Sequence, residues 1–237
     1  MGNRIHDTAI IGDGVELGDG NVIGPYTVIV GPCRIGHGNW IGPHVTIGTP
    51  AEDREGPHPA GWDGELAGAG VTIGDRNRIR EYVSIHQGTR RATLVGADCY
   101  LLAGSHLGHD SIVEDAVTLT STVQLGGHVH VWSHANLGMG TVVHQHSRVG
   151  PGAMIGMGSA VRREIGAFTI AVGDPARVSG INVVGLRRRG CDEATIDALG
   201  PFLKGRARLD VDGLPSGLPE DLSTLLKAWA DRDTPPG

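Results

Sequence analysis

Histidines crowd one region of the chain: eight of the 12 lie between residues 86 and 146. Within this region His106 and His109 precede Asp110, while His128 and His146 follow Asp110 at intervals of 18 residues. An imidazole beside a carboxylate is the arrangement of a general base, because the carboxylate fixes the tautomer and stabilises the imidazolium that forms. The cluster therefore predicts proton abstraction from a substrate.

The elements that must position these side chains follow from a second regularity. Every sixth residue is aliphatic from Val95 to Val161, and the same period runs from Ile5 to Ile47 and from Ile73 to Ile85. A period of six fits neither an amphipathic helix nor a plain strand, and it is typical of a hexapeptide-repeat parallel β-helix. An ordinary β-sandwich would break this phase at turns every 8–12 residues or so. Three hexads form one coil, so residues 18 apart should stack about 4.8 Å from each other.

Two smaller regularities specify the coil. The fourth residue after each aliphatic one is small from Cys99 to Ser159, which suits the places where the walls of a prism converge. Glycine commonly follows the aliphatic residue directly, as in Ile11-Gly12 and Ile41-Gly42. We expect this glycine to permit the tight corner, where a Cβ would cost conformational energy.

Breaks in the phase divide the chain into two predicted domains. Residues 1–180 should form the β-helix domain, with an extruded loop at 49–70 where prolines, glycines and acidic residues interrupt the hexads. A second, smaller excursion lies at 87–91. Residues 181–237 should form a short helical domain. The predicted fold class is an all-β solenoid with an α-helical C-terminus.

The helical segment has recognisable starts. Asp192 should open one helix that runs through Leu199, and a second should open near Leu218 and carry Leu222 and Trp229 at helical spacing. These helices should cap or flank the open end of the prism, which otherwise exposes backbone groups and apolar interior.

Composition excludes several classes of function. The net charge of −6 gives no electrostatic support to nucleic-acid binding. No long apolar run and no basic–apolar leader is present, so we expect a cytoplasmic protein without a membrane span. The three cysteines are scattered, and we interpret them as reduced, buried thiols.

A zinc site is the competing interpretation of the histidines. Zinc requires ligands that converge on one ion at about 2.0–2.1 Å. No two histidines of this chain are separated by five or by 36 residues, the spacings typical of hexapeptide-repeat zinc enzymes. We therefore expect no metal site.

Several motifs, in sequence order, resemble the acyl-[acyl-carrier-protein]–UDP-N-acetylglucosamine O-acyltransferases, a family of hexapeptide-repeat transferases that begins lipid A biosynthesis. They are the segments 73–81 and 85–89, His106-Leu107-Gly108-His109-Asp110, Gly127-His128, Val143-His144-Gln145 and 180–190. The resemblance covers roughly residues 3–205. It implies a homotrimer of left-handed β-helices, with active sites in clefts between neighbouring subunits.

The resemblance also implies a reaction and its residues. His109 would be the general base for the sugar 3-hydroxyl, Asp110 would orient it, and the Gly127 N–H would stabilise the oxyanion. A (3-hydroxy)acyl group would pass from an acyl-carrier-protein thioester to UDP-N-acetylglucosamine or a close sugar nucleotide, with no further cofactor. The substrate-binding residues that it implies are Asp53, His106, His128, His144, Gln145, Asn182, Arg188 and Arg189.

Two positions bear on specificity. Met157 stands where the acyl groove of the family ends, and a bulky thioether there would shorten the groove. Each buried CH₂ contributes roughly 0.8 kcal/mol, so this residue predicts a preference for acyl chains of about ten carbons. Val184 stands where the family has an acidic residue that contacts the nucleotide ribose.

Two alternatives remain open. A CoA-dependent acyltransferase of the hexapeptide superfamily, acting on another amino sugar, would use the same base and the same thioester chemistry. Asp53 and the segment 182–189 favour the carrier-protein enzyme over it. A non-catalytic solenoid that assembles or scaffolds would need no His109–Asp110 pair, and replacing His109 with alanine would leave its function intact.

Overall fold

The computed structural model describes residues 2–56, 58, 68–204, 214–215 and 217–233. In this part of the chain, short strands numbered in chain order form three sheets. Successive strands pass from the first sheet to the second, to the third, and back to the first, so each round is one coil.

The first sheet contains β1 (Arg4–Ile5), β4 (Val22–Ile23), β7 (Trp40–Ile41), β10 (Arg78–Ile79), β13 (Tyr100–Leu101), β16 (Thr118–Leu119), β19 (Asn136–Leu137), β22 (Met154–Ile155), β24 (Thr169–Val172) and β25 (Arg177–Ile181). The second contains β2 (Ile10–Ile11), β5 (Val28–Ile29), β8 (Thr46–Thr49), β11 (Ser84–His86), β14 (His106–Leu107), β17 (Gln124–Leu125), β20 (Val142–Val143) and β23 (Ala160–Val161). The third contains β3 (Val15–Leu17), β6 (Cys33–Ile35), β9 (Val71–Ile73), β12 (Thr93–Val95), β15 (Ile112–Val113), β18 (His130–Val131) and β21 (Arg148–Val149).

The architecture is the predicted left-handed parallel β-helix, with about nine turns. Neighbouring strands from β1 to β24 are parallel, and where no loop interrupts the hexads, residues 18 apart are paired in register, as Ile112 is with His130. The exit hairpin of β24 and β25 is antiparallel. The sheets meet at three edges, which we call edge 1–2, edge 2–3 and edge 3–1 after the sheets that they join.

The hexad aliphatic residues fill the interior of the prism. From Ile23 to Val161 they are buried, and their side chains form one continuous core. Ile5, in the first described coil, is an exception and is 41% exposed. The interior therefore explains why aliphatic residues recur without interruption for so many hexads.

The glycines that follow the aliphatic residues have a different role from the one expected. The left-handed corner conformation belongs to the third residue after the aliphatic one, such as Asp110 (φ 59°) and His128 (φ 61°). At Gly108, directly after Leu107, an added Cβ would lie 2.7 Å from the backbone nitrogen of Gly127 on the next coil. The expectation of a corner glycine is therefore wrong for this position: glycine is needed because adjacent coils approach closely.

The C-terminal helices are α1 (Val183–Arg188), α2 (Glu193–Leu203) and α3 (Glu220–Ala230). Asp192 caps α2 by accepting a hydrogen bond from the Thr195 N–H at 2.8 Å. These helices share a second apolar core with Phe168, and the Trp229 ring meets Trp132 edge-on at 5.3 Å. They thereby pack against the end and side of the β-helix. None of the described helices has the length and apolar character needed to cross a bilayer.

Three predictions about particular segments have separate outcomes. Cys33, Cys99 and Cys191 are buried free thiols, as expected. Residues 57 and 59–67 of the predicted loop 49–70 lie outside the described residues. The division into domains 1–180 and 181–237 stays a prediction.

Candidate active site

The histidine cluster lies at edge 2–3, in the corner after β14 and in the corners of the next two coils. The 18-residue spacing stacks three side chains along this edge. The Asp110 Oδ2 is 3.9 Å from the His128 Nε2, and the His128 ring stacks on His146 with centroids 4.5 Å apart. His109 meets His128 edge-on at 5.0 Å.

His109 and Asp110 form a hydrogen-bonded pair. The His109 Nδ1 lies 2.7 Å from the Asp110 Oδ2. Asp110 is fully buried, whereas the His109 side chain remains 17% exposed. A proton on Nδ1 is therefore held by the carboxylate, and the Nε2 of the same ring is left to act on a substrate.

The small excursion at 87–91 surrounds the Asp110 carboxylate. Its Oδ2 accepts hydrogen bonds from the Thr89 N–H at 3.0 Å and the Thr89 hydroxyl at 2.8 Å. Its Oδ1 accepts from the N–H groups of Arg90 and Arg91, at 2.8 and 2.9 Å. The Arg91 guanidinium also donates to the Asp110 carbonyl oxygen. Nothing in the hexad pattern predicts these contacts, although the break in hexad phase between Ile85 and Val95 marks their place.

These donors decide the charge of Asp110. Burial would raise its pKa, but the hydrogen bonds from His109 and from the N–H groups of Thr89, Arg91 and Arg90 together hold the pKa well below the usual range. The hydrogen bonds stabilise the ionised form of Asp110 by more than burial destabilises it. Asp110 is therefore a carboxylate throughout the neutral range, even though its side chain is buried.

Gly127 lies directly against the free side of the His109 ring. A Cβ at Gly127 would be 2.6 Å from the His109 Nε2, so any larger residue would displace the imidazole. At the same place in the hexad on edge 3–1, the N–H can be capped by a side chain of the next coil: the Ala97 N–H donates to Asp115 Oδ1 at 2.7 Å. On edge 2–3, neither the His109 N–H nor the Gln145 N–H has an acceptor in the described part of the chain. Among the described residues, the Gly127 N–H has no such acceptor. It is a backbone donor beside the base, as oxyanion stabilisation requires.

A second polar cluster lies beside the pair on the face of the second sheet. The His106 Nδ1 is 2.9 Å from the Ser84 Oγ, and its Nε2 is 3.8 Å from a Glu52 carboxylate oxygen. Burial lowers the pKa of His106, and burial together with the nearby His106 lowers that of His86 to about 4. Both rings are therefore neutral at pH 7.

Asp53 faces the same region through a cavity of about 300 Å³ that is also lined by Gln87, Gly88 and Thr89. Gln87 is 2% exposed, and its Oε1 has no hydrogen-bond partner among the described residues. The loop of residues 87–91, which we call the cradle loop, thus contacts Asp110 and also forms one wall of the Asp53 cavity. Sequence reasoning missed Gln87, because nothing in the hexad pattern marks its side chain as buried.

His144 and Gln145 stand one coil above Gly126 and Gly127. Both are exposed, and the Gln145 backbone nitrogen would be 2.8 Å from a Cβ at Gly126. The structure therefore brings His144 and Gln145 to the same edge as His109, Asp110, Gly127 and His128.

The other predicted site residues are elsewhere on the protomer. Asn182, Arg188 and Arg189 line a cavity of about 1410 Å³ at edge 3–1. Asn182 caps α1 by accepting from the Gly185 N–H at 3.0 Å, and Arg189 is ion-paired with Asp221. Arg188 is exposed.

Met157 occupies the remaining edge, 1–2, between β22 and β23, and is 77% exposed. The structure of one protomer therefore does not bring the nucleotide-end residues or the acyl-length residue to the His109 pair.

Two groups of side chains have atoms close enough together to share a metal ion. They are Glu52 with His86 and His106, and His109 with Asp110 and His128, with all ligand atoms of a group within 4.8 Å of one another. In the second group, both Asp110 oxygens already accept hydrogen bonds from the cradle loop. The expectation that no metal binds stays a prediction.

Comparison with known proteins adds to this geometry. A sequence model described as "Udp N-acetylglucosamine O-acyltransferase; Domain 2" matches residues 165–204. The acyl-[acyl-carrier-protein]–UDP-N-acetylglucosamine O-acyltransferase of Burkholderia thailandensis is 44% identical over 132 residues, which are 54% of this chain and 50% of that protein. The chain therefore spans about half the length of the curated relatives that it matches.

Solved structures match over nearly the whole chain. The UDP-N-acetylglucosamine O-acyltransferase of Moraxella catarrhalis is 30% identical with a TM-score of 0.62, and the match covers 98% of this chain and 90% of that one. The UDP-N-acetylglucosamine acyltransferase of Francisella novicida is 25% identical with a TM-score of 0.77, covering 96% and 90% of the two chains.

Proposed function

Because this chain belongs to the UDP-N-acetylglucosamine O-acyltransferase family, we propose that it transfers an acyl group from an acyl-carrier-protein thioester to the 3-position of UDP-N-acetylglucosamine or a close sugar nucleotide. One observation carries this proposal. The His109 imidazole is held by a buried carboxylate on one side, and its Nε2 lies against Gly127, whose backbone N–H has no acceptor among the described residues. This is the pairing of base and oxyanion donor that acyl transfer needs.

The first step is attack by the sugar hydroxyl. The His109 Nε2 accepts the hydroxyl proton as the oxygen bonds to the thioester carbonyl carbon. The imidazolium that forms is stabilised by Asp110, which remains ionised. The developing alkoxide of the tetrahedral intermediate accepts a hydrogen bond from Gly127, a type of interaction worth about 2.7–4 kcal/mol when a donor is removed.

The second step is collapse of the intermediate. The carbonyl reforms, the carbon–sulfur bond breaks, and the thiolate takes the proton from the His109 imidazolium. The products are the acylated sugar and the free thiol of the carrier protein. The proton taken from the sugar hydroxyl ends on the carrier-protein thiol. His109 is therefore neutral again and can begin another cycle.

The acceptor sugar lies along edge 2–3 in this proposal. Asp53 and His106 hold the glucosamine portion, while His128, His144 and Gln145 line the cleft. Burial lowers the pKa of His106, and burial is also the main cause of the low pKa of His128. Neutral imidazoles both donate and accept hydrogen bonds, which suits uncharged sugar hydroxyls.

We also propose that the active protein is a homotrimer, with each site completed by a neighbour. The His109 pair lies at edge 2–3, and Asn182, Arg188 and Arg189 lie at edge 3–1 of the same protomer. A neighbouring subunit would supply this second group to the nucleotide end, since guanidinium groups bind phosphates well. Acidic acyl carrier protein would be the further partner.

Met157 sets acyl length in this proposal, because an exposed side chain at a protomer edge is free to close a groove against a neighbour. We expect Met157→Gly to shift the preferred acyl chain from about ten carbons to longer ones. Competition among acyl-carrier-protein thioesters of several lengths measures the shift. An unchanged length preference would mean that Met157 does not line the groove.

Cytoplasmic location and independence of any metal or cofactor complete the proposal. The three buried free thiols are compatible with a reducing compartment. We expect exhaustive treatment with a chelator to leave the rate of transfer unchanged. Loss of activity that returns with added zinc would instead assign a metal to one of the two histidine groups.

The direct test is product analysis. The protein is incubated with UDP-N-acetylglucosamine and either acyl-carrier-protein or CoA thioesters of the same acyl group, and the products are identified by mass spectrometry. The proposal predicts a mono-acylated sugar nucleotide with the carrier-protein donor. Product formed only from the CoA donor, or no acylated sugar at all, would contradict it.

A further inference from the structure

A basic groove lies on the opposite side of the cradle loop from the Asp53 cavity. Its volume is about 670 Å³, and it begins at Asp110, His128 and His146 and runs along the third sheet toward the end of α3. Arg90 and Arg91 line the part that adjoins the His109 pair. The arginines of the groove are not used by any step of the mechanism above.

Its cations differ in how they are neutralised. At the far end, Arg148 and Arg232 form ion pairs with Glu164, and Arg148 also with Asp233. Near the His109 pair, Arg90 and Arg91 are exposed, and no carboxylate side chain pairs with either guanidinium in the described part of the chain. Their backbone N–H groups are fixed to Asp110, so the loop that carries these two charges is itself held rigidly.

Charge is segregated across the loop. Asp53 and Glu55 line the cavity on the side of Gln87–Thr89, and Glu52 lies beside His106 on that side. Arg90 and Arg91 line the groove on the other side. A substrate that carries a phosphate would be repelled by the acidic cavity and attracted to the basic groove.

From this arrangement we infer that Arg90 and Arg91 form a phosphate-binding site for a substrate whose reacting end lies at His109. The inference rests on the proposed function, which supplies two candidate phosphates: the diphosphate of the sugar nucleotide and the phosphodiester of the carrier-protein arm. Guanidinium groups match phosphate oxygens with paired N–H donors, and two exposed groups on one short rigid loop offer several. The groove thus orients one substrate by its charge while its uncharged end reaches the base.

The test compares substrates with and without the phosphate. Acyl-4′-phosphopantetheine and acyl-pantetheine, which lacks the phosphate, are used as donors with UDP-N-acetylglucosamine. Arg90→Ala is the main variant, because the Arg91 side chain also supports the Asp110 carbonyl. Arg90→Lys retains the charge, and Arg78→Ala, an exposed arginine on the first sheet, is the matched control.

Two results support the site and identify the phosphate. If the donor phosphate binds there, the wild-type preference in kcat/KM for the phosphorylated donor falls roughly tenfold in Arg90→Ala, the loss of about one charge-assisted hydrogen bond. If the nucleotide binds there, the KM for UDP-N-acetylglucosamine rises by a similar factor and the donor preference stays. Arg90→Lys should recover part of either effect, and Arg78→Ala should show neither.

Calorimetric titration keeps this inference separate from the proposed reaction, since it needs no turnover. The wild type is titrated with 4′-phosphopantetheine, pantetheine, UDP and uridine. The site predicts that at least one phosphorylated ligand binds more tightly than its unphosphorylated counterpart. In Arg90→Ala, the ratio of the two dissociation constants should shrink roughly tenfold. If neither the phosphate dependence of binding nor that of turnover changes in Arg90→Ala, the site is refuted, whether or not the protein transfers acyl groups.

Discussion

At the scale of single residues, the chemistry depends on Asp110 staying charged while shielded from water. A buried carboxylate is costly unless it accepts hydrogen bonds, and Asp110 accepts four from the cradle loop in addition to its contact with His109. The same oxygen, Oδ2, meets both the Thr89 hydroxyl and the His109 ring. Thr89 is therefore a positioning residue for the base.

Replacing Thr89 with valine should slow the reaction without unfolding the protein. The variant keeps the backbone N–H and the shape of the side chain but loses the 2.8 Å hydrogen bond to Asp110. A hydrogen bond to a charged group is worth about 1.5–3 kcal/mol, so we expect kcat to fall roughly tenfold or more, with the KM for the sugar nucleotide unchanged.

Thr89→Ser provides the control, because it restores the hydroxyl without the methyl group. We expect its kcat to lie close to that of the wild type. Equal losses in the serine and valine variants would show that packing by the methyl group, and not the hydrogen bond, is what matters at this position.

His86 makes stability depend on pH. Burial, helped by nearby His106, lowers its pKa to about 4, whereas the unfolded chain binds this proton near 6.5. The unfolded state therefore holds more protons between these values, so the free energy of unfolding falls as the pH is lowered through this window. Each unit of lowered pKa corresponds to about 1.4 kcal/mol.

Thermal melts between pH 7 and pH 4 should reveal this dependence. His86→Leu replaces the imidazole with an apolar side chain, and its melting temperature should fall less over that interval than that of the wild type. His6→Leu removes an exposed histidine and should follow the wild type. Parallel curves for wild type and His86→Leu would mean that other groups cause the acid sensitivity.

The sequence predicts the meeting of Asp110, His128 and His146, because it follows from the coil length alone. It does not predict the cradle, because the directions of the N–H groups of Thr89, Arg90 and Arg91 depend on the conformation of a loop that leaves the repeat. The residues that set the charge of Asp110 thus come from the part of the chain without periodicity.

At the scale of elements, stacking of coils is the main constraint. Glycine directly after the aliphatic residue allows one coil to rest on the next, and a Cβ at Gly138 would lie 2.6 Å from the Met157 nitrogen and 2.7 Å from the Ile155 oxygen. Both atoms belong to the backbone, so the clash is relieved only by separating the coils. The spacing between coils therefore depends on glycine, which has no Cβ, at this position of the hexad.

Gly138→Ala should destabilise the protein by about 1–3 kcal/mol, the range for overpacking in a well-packed interior. Gly180→Ala is the matched control, since a Cβ there meets nothing within 4 Å, and it should change stability by no more than about 0.5 kcal/mol. Chemical denaturation of the two variants measures the difference. Equal effects would show that close approach of the coils does not select glycine.

The sequence locates the strands well and the helix ends less well. Each strand ends at a hexad aliphatic residue or close to it, because that residue fills the centre of the core. Helix α2 was expected through Leu199 but continues to Leu203, past Pro201. Leu203 is buried in the second core, so tertiary packing offsets the backbone hydrogen bond that Pro201 cannot donate.

At the scale of the whole molecule, the proposal requires that one site draw residues from two protomers. A mixture of two inactive variants tests this directly. His109→Ala lacks the base, and Arg188→Ala lacks an exposed guanidinium at edge 3–1. In a mixed trimer, some sites combine the intact His109 of one variant with the intact Arg188 of the other.

Co-expression with two different tags isolates these mixed trimers. In a cyclic trimer of either mixed composition, one site in three combines the two intact residues, so activity should return to about a third of the wild-type level. Trimers of either single variant should remain impaired. If mixed trimers gain nothing, the two residues act within one protomer or do not share a site.

The most direct test of the central claim is the rate of acyl transfer to UDP-N-acetylglucosamine by the wild type and by His109→Ala, followed by mass spectrometry of the product. A general base contributes about 10²–10⁴-fold, so we predict a loss of that size in kcat/KM, with an unchanged melting temperature. A correctly folded His109→Ala protein that transfers the acyl group at the wild-type rate would contradict the assignment of His109 as the base.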